Sequence, residues 1–220
     1  RWPMPPRRIA TWKRAAPPAP PCCSPEVSMV HLVYLHGFLS SPFSKKAQET
    51  AVWMVEQGLA DYFHCPDIPM EPHAATEALL AARSRLQGEA VCYIGSSLGG
   101  YLATWLVEEH GDRAVLINPA VHPYVLLKQY VGPQHNYYTG EIHQIDARYA
   151  DDLRALDRPV SDPSRYWLLT QTGDEVLDYR EAVTKYQHCR QDVIPGGDHA
   201  FQDYGQWLPA IWAFAQESTA

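Results

Sequence analysis

The chain has 220 residues, 46% of them hydrophobic and 20% charged, with a formal net charge of −7 at pH 7. That composition fits one soluble globular domain with a full core and leaves no room for a second catalytic one. The longest apolar runs, such as Ala114 to Ile117, are strand-sized and far short of the roughly 20 residues a bilayer span needs, so no membrane partner is expected.

The first 28 residues carry five basic residues and one acidic, leaving 13 basic against 24 acidic for the remainder. An acidic body argues against a nucleic-acid-binding surface. Cys22, Cys23, Cys65, Cys92 and Cys189 are odd in number and form no Cys-x-x-Cys pair, so neither a disulfide framework nor a zinc site is suggested. The inference is a reducing compartment, the cytoplasm, with Cys92 a small buried hydrophobe.

Residues 1–28 hold eight of the 19 prolines and show neither helix nor strand period nor the apolar stretch of a secretory signal, which predicts a disordered, Pro-rich extension. Met29 stands immediately before the first strand pattern, so a native start there is expected, with 29–220 as the folded domain. A basic Arg-containing presequence is the competing reading of 1–28.

From Met29 onward, short apolar runs alternate with helix-length segments, the pattern of a parallel sheet covered on both faces. Strands are predicted at Val30 to Leu35, near Tyr62 to Cys65, Val91 to Ile94, Ala114 to Ile117, Tyr166 to Thr170 and near Gln191 to Ile194. The first helix is expected to open at "SSPFSKKAQ", with Ser41 as cap and Pro42 at the first helical position, and to run to about Gly58. A second covers Ala74 to Gln87. The third follows Ser97 through "LGGYLATWLVEEH" and ends at a left-handed Gly111. Beyond Asn118, "AVHPYVLLKQYVG" and "DARYADDLRAL" read as helical, with "GPQHNYYTGE" a loop between them. Helices at Tyr179 to Gln187 and Phe201 to Gln216 complete the chain, and no internal repeat is visible.

The chemistry concentrates where strands end. A serine hydroxyl is a weak nucleophile unless a base takes its proton and the oxyanion it generates is stabilised. A sharp strand-to-helix turn exposes its apex residue and needs small neighbours two before and two after, hence G-x-S-x-G. Gly95-Ser96-Ser97-Leu98-Gly99 fits with Ser97 at the centre, whereas centring on Ser96 would require glycine at Ile94 and Leu98. A Gly-rich turn that merely packs a helix onto a sheet is the competing reading of these five residues alone.

In "VYLHGFLSSP" a strand ends at His36-Gly37-Phe38. Gly37 allows the backbone near a substrate carbonyl, so Phe38 and Leu98 are the candidate oxyanion N–H donors, and His36 reads as a loop-orienting residue rather than the base. With the order Ser, acid, His, the base lies downstream. Of ten histidines, His199 in "IPGGDHAFQDY" follows the last strand pattern and precedes the final helix. In "WLLTQTGDEVLD", Asp174 ends a strand and is placed to orient the imidazole. Glu175 and Asp178 are its rivals, and Asp198 is awkwardly adjacent to the base.

Together these segments resemble the YqiA-type (UPF0227) esterases of the α/β-hydrolase superfamily. The likeness rests on "YLHGFLSSPFSKKA", "IGSSLGGYLATWL", "INPAVHPY", "YTGE", "LLTQTGDEVLDYREA" and "GGDHAFQDY", and it covers Met29 to Phe214. It implies an α/β fold: a compact α/β hydrolase with a mostly parallel sheet of about six strands, helices on both faces and a minimal cap. It also implies Ser97, Asp174 and His199 as a triad, with Gly95 and Gly99 supporting the turn.

The chemistry expected is ester or thioester hydrolysis, acyl-CoA included, on small or medium-length acyl chains, by a monomer that needs no metal or organic cofactor. The segment from His122 to Asp157 is the one available partial cap, and its Tyr124, Tyr130, Tyr137 and Tyr138 are either walls of an acyl or alcohol site or packing residues. A binding protein that keeps the fold without catalysis is the alternative from another functional class.

Overall fold

The structure, a computed structural model, describes residues 29–136 and 138–217; the extension expected at 1–28 lies outside the described residues, as does Tyr137. Six strands form one parallel sheet: β1 (His31–Leu35), β2 (Phe63–His64), β3 (Val91–Ser96), β4 (Arg113–Ile117), and, later in the chain, β7 (Tyr166–Gln171) and β8 (Arg190–Ile194). Their spatial order is β2-β1-β3-β4-β7-β8. The central strands read as unbroken apolar runs because both of their faces are buried.

Alternate residues divide between two core layers, as a strand's period of two requires. Val33, Leu35, Tyr93, Leu116 and Leu168 face α2 (Pro72–Ser84) and α3 (Leu98–His110). Leu32, Tyr34, Cys92, Ile94, Val115, Ile117, Trp167 and Leu169 face α1 (Lys45–Glu56) and the terminal α7 (Leu208–Ala215). Cys92 is fully buried, and burial pushes its thiol up to about 12. No helix among the described residues is long and apolar enough to cross a membrane.

The register positions the site. Leu35 pairs with Gly95, Ser96 with Ile117, Ile117 with Leu169, and Gln171 with Ile194. All the strands run in parallel, so the chain leaves the sheet at 36, 97, 118, 172 and 195 along one edge, where open α/β sheets hold their ligands.

Four expectations need correction. The first helix starts at Lys45, with Ser44 as its N-cap. Ser41 instead holds the preceding turn, its Oγ accepting the Phe43 N–H at 3.1 Å and its carbonyl the Ser44 N–H at 3.0 Å. The segment read as a loop between helices opens with β5 (Gly132–His135), which pairs antiparallel with β6 (Ile142–Ile145) just beyond it in a separate hairpin. Ahead of them "AVHPYVLLKQYVG" forms only the single-turn α4 (Pro123–Leu126) and a 3-10 turn at Leu127–Tyr130. The final α-helix begins at Leu208, after a 3-10 turn at Tyr204–Trp207, because Phe201 and Asp203 adopt φ of 61° and 60°. The remaining helices, α5 (Tyr149–Ala155) and α6 (Tyr179–Lys185), lie where expected, and Gly111 ends α3 with φ 76°.

The approach of α3 to β1 leaves no room for a side chain at Gly99, where a Cβ would lie 2.0 Å from the Leu35 carbonyl oxygen. Because the obstacle is backbone, Gly99→Ala is expected to cost about 1–3 kcal/mol of unfolding free energy, measured by urea denaturation. A variant as stable as the parent would contradict this close approach.

Candidate active site

Ser97 joins β3 to α3 with φ 56° and ψ −119°, a conformation that L-residues avoid and that persists only where the surroundings over-determine it. Three hydrogen bonds do so here. Its N–H donates to the Ile117 carbonyl at 3.1 Å, and its own carbonyl accepts from Gly100 and Ala120, both at 3.0 Å. Gly95 is equally constrained, since a Cβ there would lie 2.5 Å from the Gly99 carbonyl oxygen. Ser96, by contrast, is the last residue of β3, regularly paired and buried.

The loop after β8 brings His199 to this apex. Its Nε2 lies 3.1 Å from Ser97 Oγ, and its Nδ1 lies 2.8 and 3.0 Å from the two carboxylate oxygens of Asp174. These partners assign the proton to Nδ1 and leave Nε2 to accept from the serine hydroxyl. The Asp174 side chain is 1% exposed, and its Oδ1 also accepts the N–H groups of Val176 and Leu177, each at 2.9 Å. Burial alone would raise this carboxyl. The His199 hydrogen bond, the two backbone N–H bonds and the histidine's charge outweigh it, so Asp174 stays below the ordinary aspartate value.

The rivals take other partners. Glu175 Oε2 accepts the backbone N–H of His199 at 3.0 Å, Asp178 caps α6 by accepting the Arg180 N–H at 3.0 Å, and Asp198 Oδ2 accepts from Gln202 Nε2 at 3.0 Å. His36 is buried, its Nδ1 3.1 Å from the Gly37 carbonyl and its Nε2 accepting the Ile68 N–H at 3.2 Å. Burial lowers its pKa against the opposing pull of Gly37 and Asp67. With both ring nitrogens engaged in a neutral tautomer, His36 orients the loop after β1.

That loop passes directly over the serine: a Cβ on Gly37 would lie 3.2 Å from Ser97 Cβ and 3.3 Å from the Ser96 carbonyl oxygen. Phe38 and Leu98 both border the space at Ser97, and no backbone carbonyl among the described residues takes either N–H. Leu98 also opens α3, where unpaired N–H groups and the helix dipole favour negative charge. Among the described residues no group of three or more His, Cys, Asp or Glu side chains could hold a metal ion.

Sequence reasoning missed the side chains that hold the histidine loop. Asn118, just past β4 with φ 40°, donates Nδ2 to the carbonyls of Asp198 (3.0 Å) and His199 (3.2 Å), while its Oδ1 accepts from Thr170 Oγ1 and the Gln171 N–H. Gln171 Oε1 accepts the N–H groups of Asp198 and Gln202, and its Nε2 donates to the Gln202 carbonyl. Lys46 Nζ reaches across from α1 to the Ala200 carbonyl at 2.8 Å. Burial lowers the Lys46 pKa to about 8 despite the carboxylates of Glu49, Asp198 and Asp174. The one available signal was Asn118 itself, an Asn directly after a strand and tolerant of left-handed backbone.

A family model described as "Uncharacterised protein family (UPF0227)" matches residues 31–216. Among solved structures, the chain is similar to a protein of Agrobacterium vitis S4 to which a hydrolase activity is provisionally assigned, at 20% identity and a TM-score of 0.70, covering 86% of this chain and 89% of that one. It is also similar to the mouse alpha/beta hydrolase domain-containing protein 10, at 16% identity and TM-score 0.64, with 82% and 86% covered. Est1E of Butyrivibrio proteoclasticus gives 14% identity and TM-score 0.63, with 86% and 88% covered. These likenesses establish the α/β-hydrolase fold.

The depressed Asp174 carboxyl makes stability depend on pH. Its contribution is complete above the ordinary aspartate value of about 4 and is lost as pH falls through the lower folded value. The unfolding free energy of the parent minus that of Asp174→Asn should therefore decrease from pH 6 to pH 3 in denaturant titrations. A difference that stays flat or grows would contradict the direction of the shift.

Proposed function

The chain belongs to the UPF0227 family, and on that premise we propose that it is a serine ester hydrolase acting on carboxylic esters or thioesters of small to medium acyl chain length, acyl-CoA among them, with Ser97, Asp174 and His199 as its triad. The observation that carries this reading is the continuous hydrogen-bonded path from Asp174 through His199 to Ser97 Oγ, with separations of 2.8 and 3.1 Å, at a strained apex beside two N–H groups without backbone acceptors among the described residues.

In the proposed cycle His199 Nε2 takes the Ser97 proton as Oγ attacks the acyl carbonyl carbon, and Asp174 stabilises the imidazolium. The N–H groups of Phe38 and Leu98 hold the tetrahedral oxyanion. The imidazolium then protonates the departing alcohol or thiol as its bond to carbon breaks, leaving an acyl-Ser97 ester. Water, deprotonated by the same imidazole, attacks that ester; the proton returns to Ser97 and the carboxylic acid leaves. Gly37 keeps the oxyanion loop within reach of the serine, and Asn118, Gln171 and Glu175 hold the base in line. Residues 29–220 are the proposed catalytic domain. The free Cys65, Cys92 and Cys189 fit a reducing compartment, and the cytoplasm is the proposed location.

The test is p-nitrophenyl ester turnover together with fluorophosphonate labelling of the parent and its variants. Ser97→Ala should abolish labelling and turnover, Ser96→Ala should keep both, and Asp174→Asn should lower kcat by about 10³-fold or more. A parent that neither labels nor hydrolyses would return the chain to a non-catalytic binding role, and a Ser97→Ala protein that keeps both activities would refute the assignment. Gly37→Ala, which forces the loop off Ser97, should lower kcat by about tenfold or more while thermal stability changes little; unchanged kcat would exclude this loop from the oxyanion site.

A further inference from the structure

Ser97 lies where two cavities meet, one mostly apolar and the other more polar. One, of about 300 Å³, is lined mainly by apolar side chains, Leu98, Pro123, Leu126 and Leu127 among them, with Gln129 and Glu175 its polar members besides Ser97. Leu127 and Leu153 in this lining are buried, and the Leu153 carbonyl accepts from the Tyr101 hydroxyl. Tyr130 also lines this cavity, its ring edge-on to Phe38 at 5.3 Å. The other cavity, of about 570 Å³, is bordered by His199 and by polar side chains including Ser44, Lys46, Glu49 and Asp198, with the rings of Phe201 and Tyr204 among its apolar members.

The proposed mechanism decides which part of an ester enters each. The attacked carbon, once bonded to Ser97 Oγ, carries three other groups. The oxyanion turns to the Phe38 and Leu98 N–H groups. The leaving group must lie within reach of His199, which protonates it, and His199 borders the polar cavity and not the apolar one. The acyl chain is left with the apolar cavity, whose volume is at the lower end of the range for small-molecule sites.

The polar cavity carries a second mark. Ser44 Oγ and Asp198 Oδ1 are buried atoms with no hydrogen-bond partner among the described residues, and both residues line it. Buried polar atoms are ordinarily satisfied. A carboxylate oxygen can only accept, so its partner must bring a donor. We infer that the enzyme's substrates are esters of a short to medium apolar acid with a hydroxyl-bearing alcohol, the acyl chain entering the cavity lined by Leu126 and Leu127 and the alcohol's free hydroxyl groups bonding to Ser44 and Asp198. This rests on the ester-hydrolase reading and narrows it to one polarity: apolar acyl side, hydroxylated leaving side. A site built to bond a hydroxyl discriminates strongly against the analogue that lacks it.

Three octyl-chain esters test the polarity on the intact protein: glycerol monooctanoate, butyl octanoate, and octyl glycerate, in which the two sides are exchanged. Glycerol monooctanoate should have the highest kcat/KM, by at least about tenfold over each of the others. Ser44→Ala and Asp198→Asn should each reduce its advantage over butyl octanoate several-fold, a ratio insensitive to partial loss of folded protein. Leu126→Trp should lower the ratio of p-nitrophenyl octanoate to p-nitrophenyl acetate turnover by about tenfold, and Leu127→Ala should move the preferred chain length upward, a gain that misfolding cannot imitate. Equal turnover of glycerol monooctanoate and butyl octanoate, or preference for octyl glycerate, overturns the inference while fluorophosphonate labelling of Ser97 keeps the hydrolase reading intact. Absence of labelling together with absence of turnover removes both.

Discussion

The backbone conformation at Ser97 is the constraint on which the other features depend. A residue held at φ 56° and ψ −119° turns its side chain out of the sheet edge and lets α3 start at once behind it. That geometry is possible only because β3, α3 and β1 approach within backbone contact, and glycine at 95 and 99 is what permits the approach. Strain of this kind costs of order 1–3 kcal/mol, and the bonds from Ser97 to Ile117, Gly100 and Ala120 offset it. The turn that exposes the hydroxyl also sets it beside the first residue of the helix, so the geometry on which the proposed reactivity rests has one origin.

The parallel sheet supplies the rest by register. The loops after β1, β4, β7 and β8 leave the same edge, so residues as distant in sequence as Gly37 and His199 meet over one serine. The histidine loop has no regular structure of its own, and four of its residues, Gly196, Gly197, Phe201 and Asp203, have positive φ. It is fixed by the buried amides of Asn118 and Gln171, the Glu175 carboxylate on the His199 N–H, and Lys46 from the opposite layer. These contacts place an imidazole to within hydrogen-bond distance of both neighbours, the tolerance that proton transfer requires.

The four central strands were legible in the sequence because strands buried on both faces are written as short apolar runs, whereas the edge strands β2 and β8 are only partly buried and carry polar residues, so only their neighbourhood could be read. Ser97 was distinguishable from Ser96 because only one register of the glycines permits the turn. Asp174 and His199 could be singled out because each follows a strand, and the structure brings both to Ser97. The hairpin of β5 and β6 escaped notice because its strands are short, Gly- and Pro-containing and mostly exposed. It is held by Ile145 in the core and by Asn136, whose amide bonds to the Ser40 carbonyl and to the N–H groups of Tyr138 and Thr139. The first helix was begun too early because Ser41-Pro42 is an equally good turn. The cradle of Asn118, Gln171 and Glu175 lay beyond sequence reasoning, since it joins backbone groups of one loop to side chains that only the three-dimensional register brings near. The tyrosines of the cap divide: Tyr130 and Tyr138 border the cavities, while Tyr124 packs beneath Arg154 with its hydroxyl on Asp157.

The central claim is that this turn makes Ser97, and not its neighbour, the residue that carries the acyl group. It is tested most directly by acid-quenching a reaction with p-nitrophenyl butyrate within the first turnover and mapping the adduct by peptide mass spectrometry. A butyryl group on Ser97, absent from Ser96 and from the histidines, is the predicted result. An adduct on any other residue, or hydrolysis that proceeds with none under conditions that trap acyl-enzymes, would contradict the account.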